Sequence, residues 1–174
     1  MGPRYRSVSS GKNNNKATIG RSDCYYISMS QNYTIIAGTN RRDSNTCKVA
    51  RYYEQLLLSR NITPRFLSLE GWQFLERTRE FEELEKEMLV STNKFIFISP
   101  EYNGSIPGVL KVMFDISDYK KVWWGKKALL TGVATGRSGN LRGMEHLTGI
   151  LHYLRVFVHP NKLPISAVDK LLNG

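Results

Sequence analysis

Cysteine is scarce in this chain: Cys24 and Cys47 are the two among 174 residues, and their separation fits neither a CxxC pair nor a metal-ligand set. That usage argues against a disulfide-stapled fold and for a reducing, cytoplasmic setting. Histidine is equally sparse. His146, His152 and His159 have no spacing that makes them a metal site, and a structural role is expected for each. No apolar run approaches the roughly 18 residues needed to cross a bilayer, so a membrane partner is not expected. The usual nucleotide fingerprints are missing too. There is no GxGxxG and no Gly-Lys-Ser/Thr loop, and Ser138 lacks the G-x-S-x-G frame of a nucleophile elbow.

What remains is an ordinary globular composition, 41% hydrophobic and 23% charged, long enough for one domain with a substantial core. Acidic residues are outnumbered, 15 against 25 basic, for a net charge of +10. Residues 1–30 carry +4 of it, from Arg4, Arg6, Lys12, Lys16 and Arg21 against Asp23, which leaves +6 on residues 31–174. Such a balance favours an anionic partner, either a nucleic acid or a phosphorylated small molecule. Residues 1–30 show no amphipathic period and few large apolar side chains, so they read as a disordered or non-native tail, with Met29 the expected natural start. Residues 31–174 read as the folded domain.

Within that domain, strands alternate with helices. Tyr33–Ala37, Arg65–Leu69, Lys94–Ile98, Ala128–Val133 and Val156–Val158 read as strands, the second short and partly polar, as an edge strand is. Helices follow from Thr46, around Phe81 to Met88 with Glu80 to Glu87 as a solvated face, from Pro107, and around Met144 to Leu151. With no hairpin expected, the pattern is an α/β fold: a five-stranded parallel sheet in the flavodoxin-like order 2-1-3-4-5, helices on both faces. After the fifth strand, Leu163–Gly174 is short for a covering helix. The final C-terminal helix therefore reads as missing, with an apolar patch expected beside strands one and four.

Two loops stand out at the carboxyl ends of the central strands, where ligands sit in open α/β sheets. Gly38 to Thr46 leads into a helix whose unpaired N–H groups and positive dipole end suit a phosphate, with Thr39, Ser44, Asn45 and Thr46 as short donors and Arg41 or Arg42 as a fork. It equally suits a plain N-cap, with Ser44 or Asn45 starting the helix. Ser99 to Ile106 is polar, stiffened by Pro100 and Gly104, and carries one aromatic ring, Tyr102. Adjacent strands on one edge should bring these loops face to face, with a phosphorylated planar cofactor between them. Lys120-Lys121 and Lys126-Lys127 around Trp123-Trp124 fall on the opposite edge and read as a solvated loop pinned by the tryptophans. Arg137 and Arg142 fall on the same edge as the two loops, where they read equally as contacts for the 2′-phosphate of NADPH and as plain surface arginines.

Gly38-Thr39-x-Arg41-x-x-Ser44 and the run Ser99-Pro100-Glu101-Tyr102-Asn103-Gly104-Ser105-Ile106-Pro107-Gly108-Val109-Leu110-Lys111 resemble the NADPH-dependent FMN reductase family, flavodoxin-like proteins that include quinone, azo-dye and chromate reductases. The resemblance runs from about Tyr33 to Pro160 and departs at Val112 and Asp115-Ile116. It implies that Thr39, Arg41, Ser44, Asn45 and Thr46 hold the phosphate of FMN. Pro100, Glu101, Tyr102, Asn103, Gly104 and Ser105 would line the flavin ring, and Ala134, Thr135 and Gly136 would close the far side. It further implies an NAD(P)H-dependent oxidoreductase, with NADPH or NADH passing a hydride to the flavin and then to a small acceptor: a quinone, azo compound, free flavin or metal oxyanion. A homodimer or homotetramer is implied, and a nucleic-acid partner is not. The alternative is a flavodoxin-type electron carrier with no substrate of its own, which the basic charge disfavours.

Overall fold

The computed structural model describes residues 32–172. The expected N-terminal tail and the expected start at Met29 lie outside the described residues. Strands β1 (Tyr33–Ala37), β2 (Arg65–Ser68), β3 (Lys94–Pro100), β4 (Lys127–Val133) and β5 (Phe157–Val158) form a parallel sheet in the order β2-β1-β3-β4-β5. β1 pairs with β2 and β3, with Ile36 opposite Leu67 and Phe97, and β3 runs on to Pro100 opposite Val133. The expected fold class and strand order are therefore the observed ones.

Side chains alternate across this sheet, as the two-residue period of a strand requires. Ile36, Phe95, Phe97, Ala128 and Leu130 face one core. It is closed by α2 (Arg79–Leu84) with its π-helical continuation Glu85–Val90, and by α3 (Gly108–Ile116), α4 (Tyr119–Val122) and α5 (Leu141–Tyr153). Trp123 is fully buried there, beside Phe95 and Phe114 at ring distances of 5.0 Å, and donates its indole N–H to Ser117 Oγ at 2.8 Å. Trp124 remains partly exposed, with Arg155 over its ring. The tryptophans thus pin the loop before β4.

Ile35, Ala37, Ile96, Ile98 and Val133 face the other way, toward Val49 and Ala50 of α1 (Asn45–Leu58) and Val168 of α6 (Val168–Leu172). Here the expectation of a missing C-terminal helix needs correction. A covering helix is present but only five residues long. Its first residue, Val168, is 1% exposed, and the sheet residues beneath are buried, so the anticipated open patch shrinks to half-buried Leu129 and Ile165.

The fifth strand ends at Val158, before Pro160, as expected, but the edge continues in a strand the sequence did not announce: β5 pairs with Lys127–Ala128, and after an interruption β6 (Leu163–Ile165) pairs in parallel with Thr131–Val133. Two more residues lie on this edge than on β4, which lets the proline-bearing stretch loop out and rejoin the ladder. The acidic helix face holds a second correction. Glu85 is 3% exposed rather than solvated. Its carboxylate accepts from both terminal nitrogens of Arg77, at 3.0 and 2.6 Å, and from the Asp118 N–H at 2.6 Å. Those hydrogen bonds raise the pKa of the Arg77 guanidinium further above its usual value. A buried carboxylate persists when its lone pairs are filled this way.

Candidate functional site

At the carboxyl edge of the sheet the loops after β1, β3 and β4 enclose a cleft of about 540 Å³. The first loop turns away from β1 at Gly38, whose N–H bonds to Ile98 O at 2.8 Å. A side-chain carbon at Gly38 would lie 3.0 Å from Leu110 Cδ2 and 3.2 Å from Ile98 O, so this close crossing of β3 favours glycine. Asp43 reaches φ 49, and Ser44 then caps α1 by accepting the Cys47 N–H at 3.1 Å. The plain-cap reading of Ser44 is thus what the structure displays. No acidic residue occupies the first turn of α1, which leaves its dipole end facing the cleft without a carboxylate in that turn.

The second loop contains a feature the βα alternation conceals. Tyr102 and Ser105 exchange backbone hydrogen bonds at 2.9 and 3.1 Å, with Asn103 at φ 52 and Gly104 at φ 78. This is a two-residue hairpin with positive φ at both central positions, the geometry that Asn-Gly favours. The expectation of no hairpin is therefore wrong at this place, and Asn103-Gly104 was the signal for it. Behind the turn, Ile106 and Leu110 sink into the larger core and fix the loop to α3. The turn also accounts for Ser105, the one expected site residue that does not line the cleft. Chain reversal brings Ser105 to α5, where its Oγ lies 2.9 Å from His146 Nδ1.

Thr39, Arg41, Ser44, Asn45, Thr46, Pro100, Glu101, Tyr102, Asn103, Gly104, Ala134, Thr135 and Gly136 all line the cleft. The first two loops do face each other. Thr39 Oγ1 and Tyr102 OH share a hydrogen bond of 2.5 Å, and the Arg41 guanidinium lies 4.3 Å from the centroid of the Tyr102 ring. Glu101 accepts from Ser138 Oγ at 2.9 Å, which joins the second loop to the third. The third loop is braced by the C-terminal segment: Val168 N–H bonds Ala134 O, Ala167 N–H bonds Gly136 O, and Ser166 Oγ bonds Arg137 O. Asn140, buried at φ 66, donates to Ser99 O at 2.8 Å and ties the end of that loop to β3.

Arg42, weighed beside Arg41 as a phosphate fork, also lines the cleft, while Asp43 in the same loop and Ser138 in the Gly-rich stretch after β4 were not expected there. Val168 carried no signal, because its place depends on the pairing of β6. Asn45 is tied to it through α6: its Nδ2 donates to Asp169 Oδ1 at 2.6 Å. Among the described residues there is no cluster of three or more histidines, cysteines or carboxylates able to hold a metal, and no helix long and apolar enough to cross a membrane.

The family sequence profile for NADPH-dependent FMN reductase matches residues 32–169. Among curated proteins, a 2-hydroxy-1,4-benzoquinone reductase of a Burkholderia species is 28% identical over 140 residues, 74% of either chain. Among solved structures, an NADH:FMN oxidoreductase superposes with a TM-score of 0.68 at 22% identity, covering 82% of this chain and 84% of that one. A flavodoxin of Pseudomonas aeruginosa superposes at 0.57 with 19% identity, covering 79% and 85%. At such identities the two structures establish the shared fold, whereas the profile spans most of the chain and both loops of the cleft. This chain belongs to the NADPH-dependent FMN reductase family, oxidoreductases that use FMN as cofactor and NAD(P)H as reductant.

Proposed function

We propose that the cleft binds FMN and that the chain uses it to pass reducing equivalents from NAD(P)H to a small acceptor of the quinone type. The observation that carries this reading is the meeting, across one cleft, of a helix N-terminus whose own first turn holds no acidic residue with a hydrogen-bonded turn that carries an aromatic ring. The residues present fit the group. About 540 Å³ lies within the roughly 300–1,000 Å³ usual for cofactor pockets. One end offers N–H groups and Arg41 to a phosphate, and the other offers an aromatic side chain and peptide groups to a planar heterocycle. The Burkholderia relative is named for a benzoquinone, which supports the choice of acceptor.

In this reading Thr39, Arg41, Ser44, Asn45 and Thr46 hold the phosphate. Pro100, Glu101, Tyr102, Asn103 and Gly104 lie along the ring, with Ala134, Thr135 and Gly136 on the far side. When bound, FMN supplies a carrier that accepts a hydride from NAD(P)H and returns two electrons to the acceptor. The protein's part is positioning and electrostatics. The positive-φ turn at Asn103-Gly104 fixes its peptide N–H groups in advance, so they stabilise negative charge with little reorganisation. The Ser138–Glu101 and Thr39–Tyr102 contacts hold the walls at a set separation.

Arg41→Ala tests the phosphate end. Lost charge-assisted bonds should weaken FMN affinity by about tenfold or more in a fluorescence titration, with Arg41→Lys intermediate. Unchanged affinity would overturn the assignment. An electron carrier is the competing reading, and anaerobic NADPH separates the two: the flavin-loaded enzyme should lose its yellow colour, whereas a carrier would keep it.

A further inference from the structure

Of the described residues that line the cleft, four carry a charged side chain: Arg41, Arg42 and Asp43 in the first loop, and Glu101 in the second. The two arginines and the two carboxylates cancel in sum but are not mixed in space. Both arginines belong to the phosphate end, whereas Glu101 is the one charged residue that the second and third loops contribute. Its backbone is held from both sides. Pro100 before it pairs opposite Val133 in the ladder between β3 and β4, and Tyr102 after it opens the hydrogen-bonded turn. The carboxylate is half-buried and accepts from Ser138 Oγ at 2.9 Å. The loop that carries Ser138 is itself braced by Ser166 Oγ on Arg137 O. No lysine, arginine or histidine among the described residues forms an ion pair with Glu101. A neutral hydroxyl therefore orients this carboxylate without cancelling its charge.

We propose that Glu101 is a specificity-determining residue that selects uncharged acceptors, such as neutral quinones, over anionic ones, such as metal oxyanions and sulfonated dyes. The proposal rests on the reading that the cleft holds FMN, with its phosphate at the first loop and its ring along the second. A phosphate monoester brings a charge of about −2, which Arg41 and Arg42 neutralise. Asp43 is then left without a counter-charge at that end, and Glu101 without one at the ring end. An acceptor that reaches the ring meets the Glu101 carboxylate between protein walls, where solvent screens charge less than it does at an open surface. An anion brought there is repelled, and a like-charge contact of this kind excludes a wrong partner more than it alters the binding of a neutral one. The basic balance of the whole chain acts at longer range, so it draws anions toward the molecule without admitting them to the ring. A nicotinamide obeys the same rule, because its ring is neutral before it gives up a hydride and cationic afterwards. Reductant and quinone can thus use one ring end that turns anionic head groups away.

The test compares Glu101→Gln and Glu101→Asp with the unaltered protein, each loaded with FMN and normalised to the flavin bound. Glutamine keeps an oxygen for Ser138 but loses the charge, and aspartate keeps the charge. The acceptors are naphthoquinone and its monosulfonate, which share the redox-active ring and differ by one negative charge. Two quantities are read for each: kcat/KM with NADPH in excess, and the dissociation constant from the oxidised, FMN-loaded protein without reductant. In Glu101→Gln the preference for the sulfonate over the neutral quinone should rise about fivefold or more in both quantities, through KM rather than kcat. The rise should shrink near 0.5 M salt, and Glu101→Asp should stay nearer the unaltered ratio. An unchanged ratio in Glu101→Gln, or equal changes for the two quinones, overturns the charge selection and leaves the flavin reading in place. If the unaltered protein binds FMN but oxidises no dinucleotide, the oxidoreductase reading fails, and the two dissociation constants still decide the role of Glu101. A chain that takes up no FMN overturns both.

Discussion

The two faces of the sheet are built to different depths, and the cleft draws one of its ends from each. On the deeper face, Phe95, Phe97, Phe114 and Trp123 form a continuous aromatic cluster under several helical segments. Ile106 and Leu110 join the same core, so the turn at Asn103-Gly104 is carried by the thickest part of the molecule. On the shallower face, α1 and the five-residue α6 do the covering alone. The Gly38–Thr46 loop belongs to that side, held by a helix cap, by the Thr39–Tyr102 contact and by Asn45 to Asp169. The difference teaches that the ring end is positioned by packing, which is stiff, and the phosphate end by a few polar contacts, which are cheap to rearrange.

If that contrast is right, the largest stability loss should come from the deeper face and leave the site untouched. Trp123→Ala removes a fully buried ring and orphans its hydrogen bond with Ser117, a change expected to cost about 3–5 kcal/mol. Urea unfolding reads that loss, and FMN titration of the folded variant should match the unaltered protein. A loss below about 1 kcal/mol, the level of a minor surface change, would mean the aromatic cluster is not the keystone of this face. A large change in FMN affinity would mean that the cleft is coupled to it.

Much of this contrast can be read in the chain, and the unread parts share a cause. The strand order follows from buried runs such as Phe95–Ile98 alternating with amphipathic helices, because crossovers in parallel sheets have one hand. The two loops follow from their composition and from which edge the topology gives them. Glu85 does not follow: on its own helix it is one acidic residue among several, and Arg77 from the preceding loop together with the Asp118 N–H makes its burial tolerable. Val168 does not follow either. Its seat over Ile98 and Val133 depends on β6 rejoining β4 after an interruption that no local pattern announces. Asn103-Gly104 was legible, but a two-residue hairpin inside a strand-to-helix loop is easily outweighed by the longer βα period around it.

The shallower face offers a smaller and more telling perturbation. Val168→Ala removes two buried methyl groups, about 1.5 kcal/mol by burial. Because Val168 also lines the cleft and its N–H holds Ala134 O, FMN affinity should weaken several-fold along with the lower unfolding midpoint. The combination of a modest stability loss and a measurable affinity loss is what Trp123→Ala should not show. If Val168→Ala lowers stability with no change in the FMN titration, the two faces contribute alike and the contrast fails.

The smallest expected effect isolates charge from packing at the phosphate end. Asp169 is exposed, so its contact with Asn45 is worth little to stability, within about 0.5 kcal/mol for a surface substitution. Its carboxylate nevertheless stands beside the first residue of α1, next to where a phosphate would sit, and like charges repel there. Asp169→Asn keeps an amide oxygen for the Asn45 bond and removes the negative charge. FMN affinity should therefore rise two- to threefold at low salt and return toward the unaltered value near 0.5 M, where the Debye length is only about 4 Å. Riboflavin, which has no phosphate, should show no such change. Tighter riboflavin binding, or weaker FMN binding at every salt concentration, would show that Asp169 supports the loop by its hydrogen bond rather than opposing the phosphate by its charge. The phosphate end would then be positioned as firmly as the ring end.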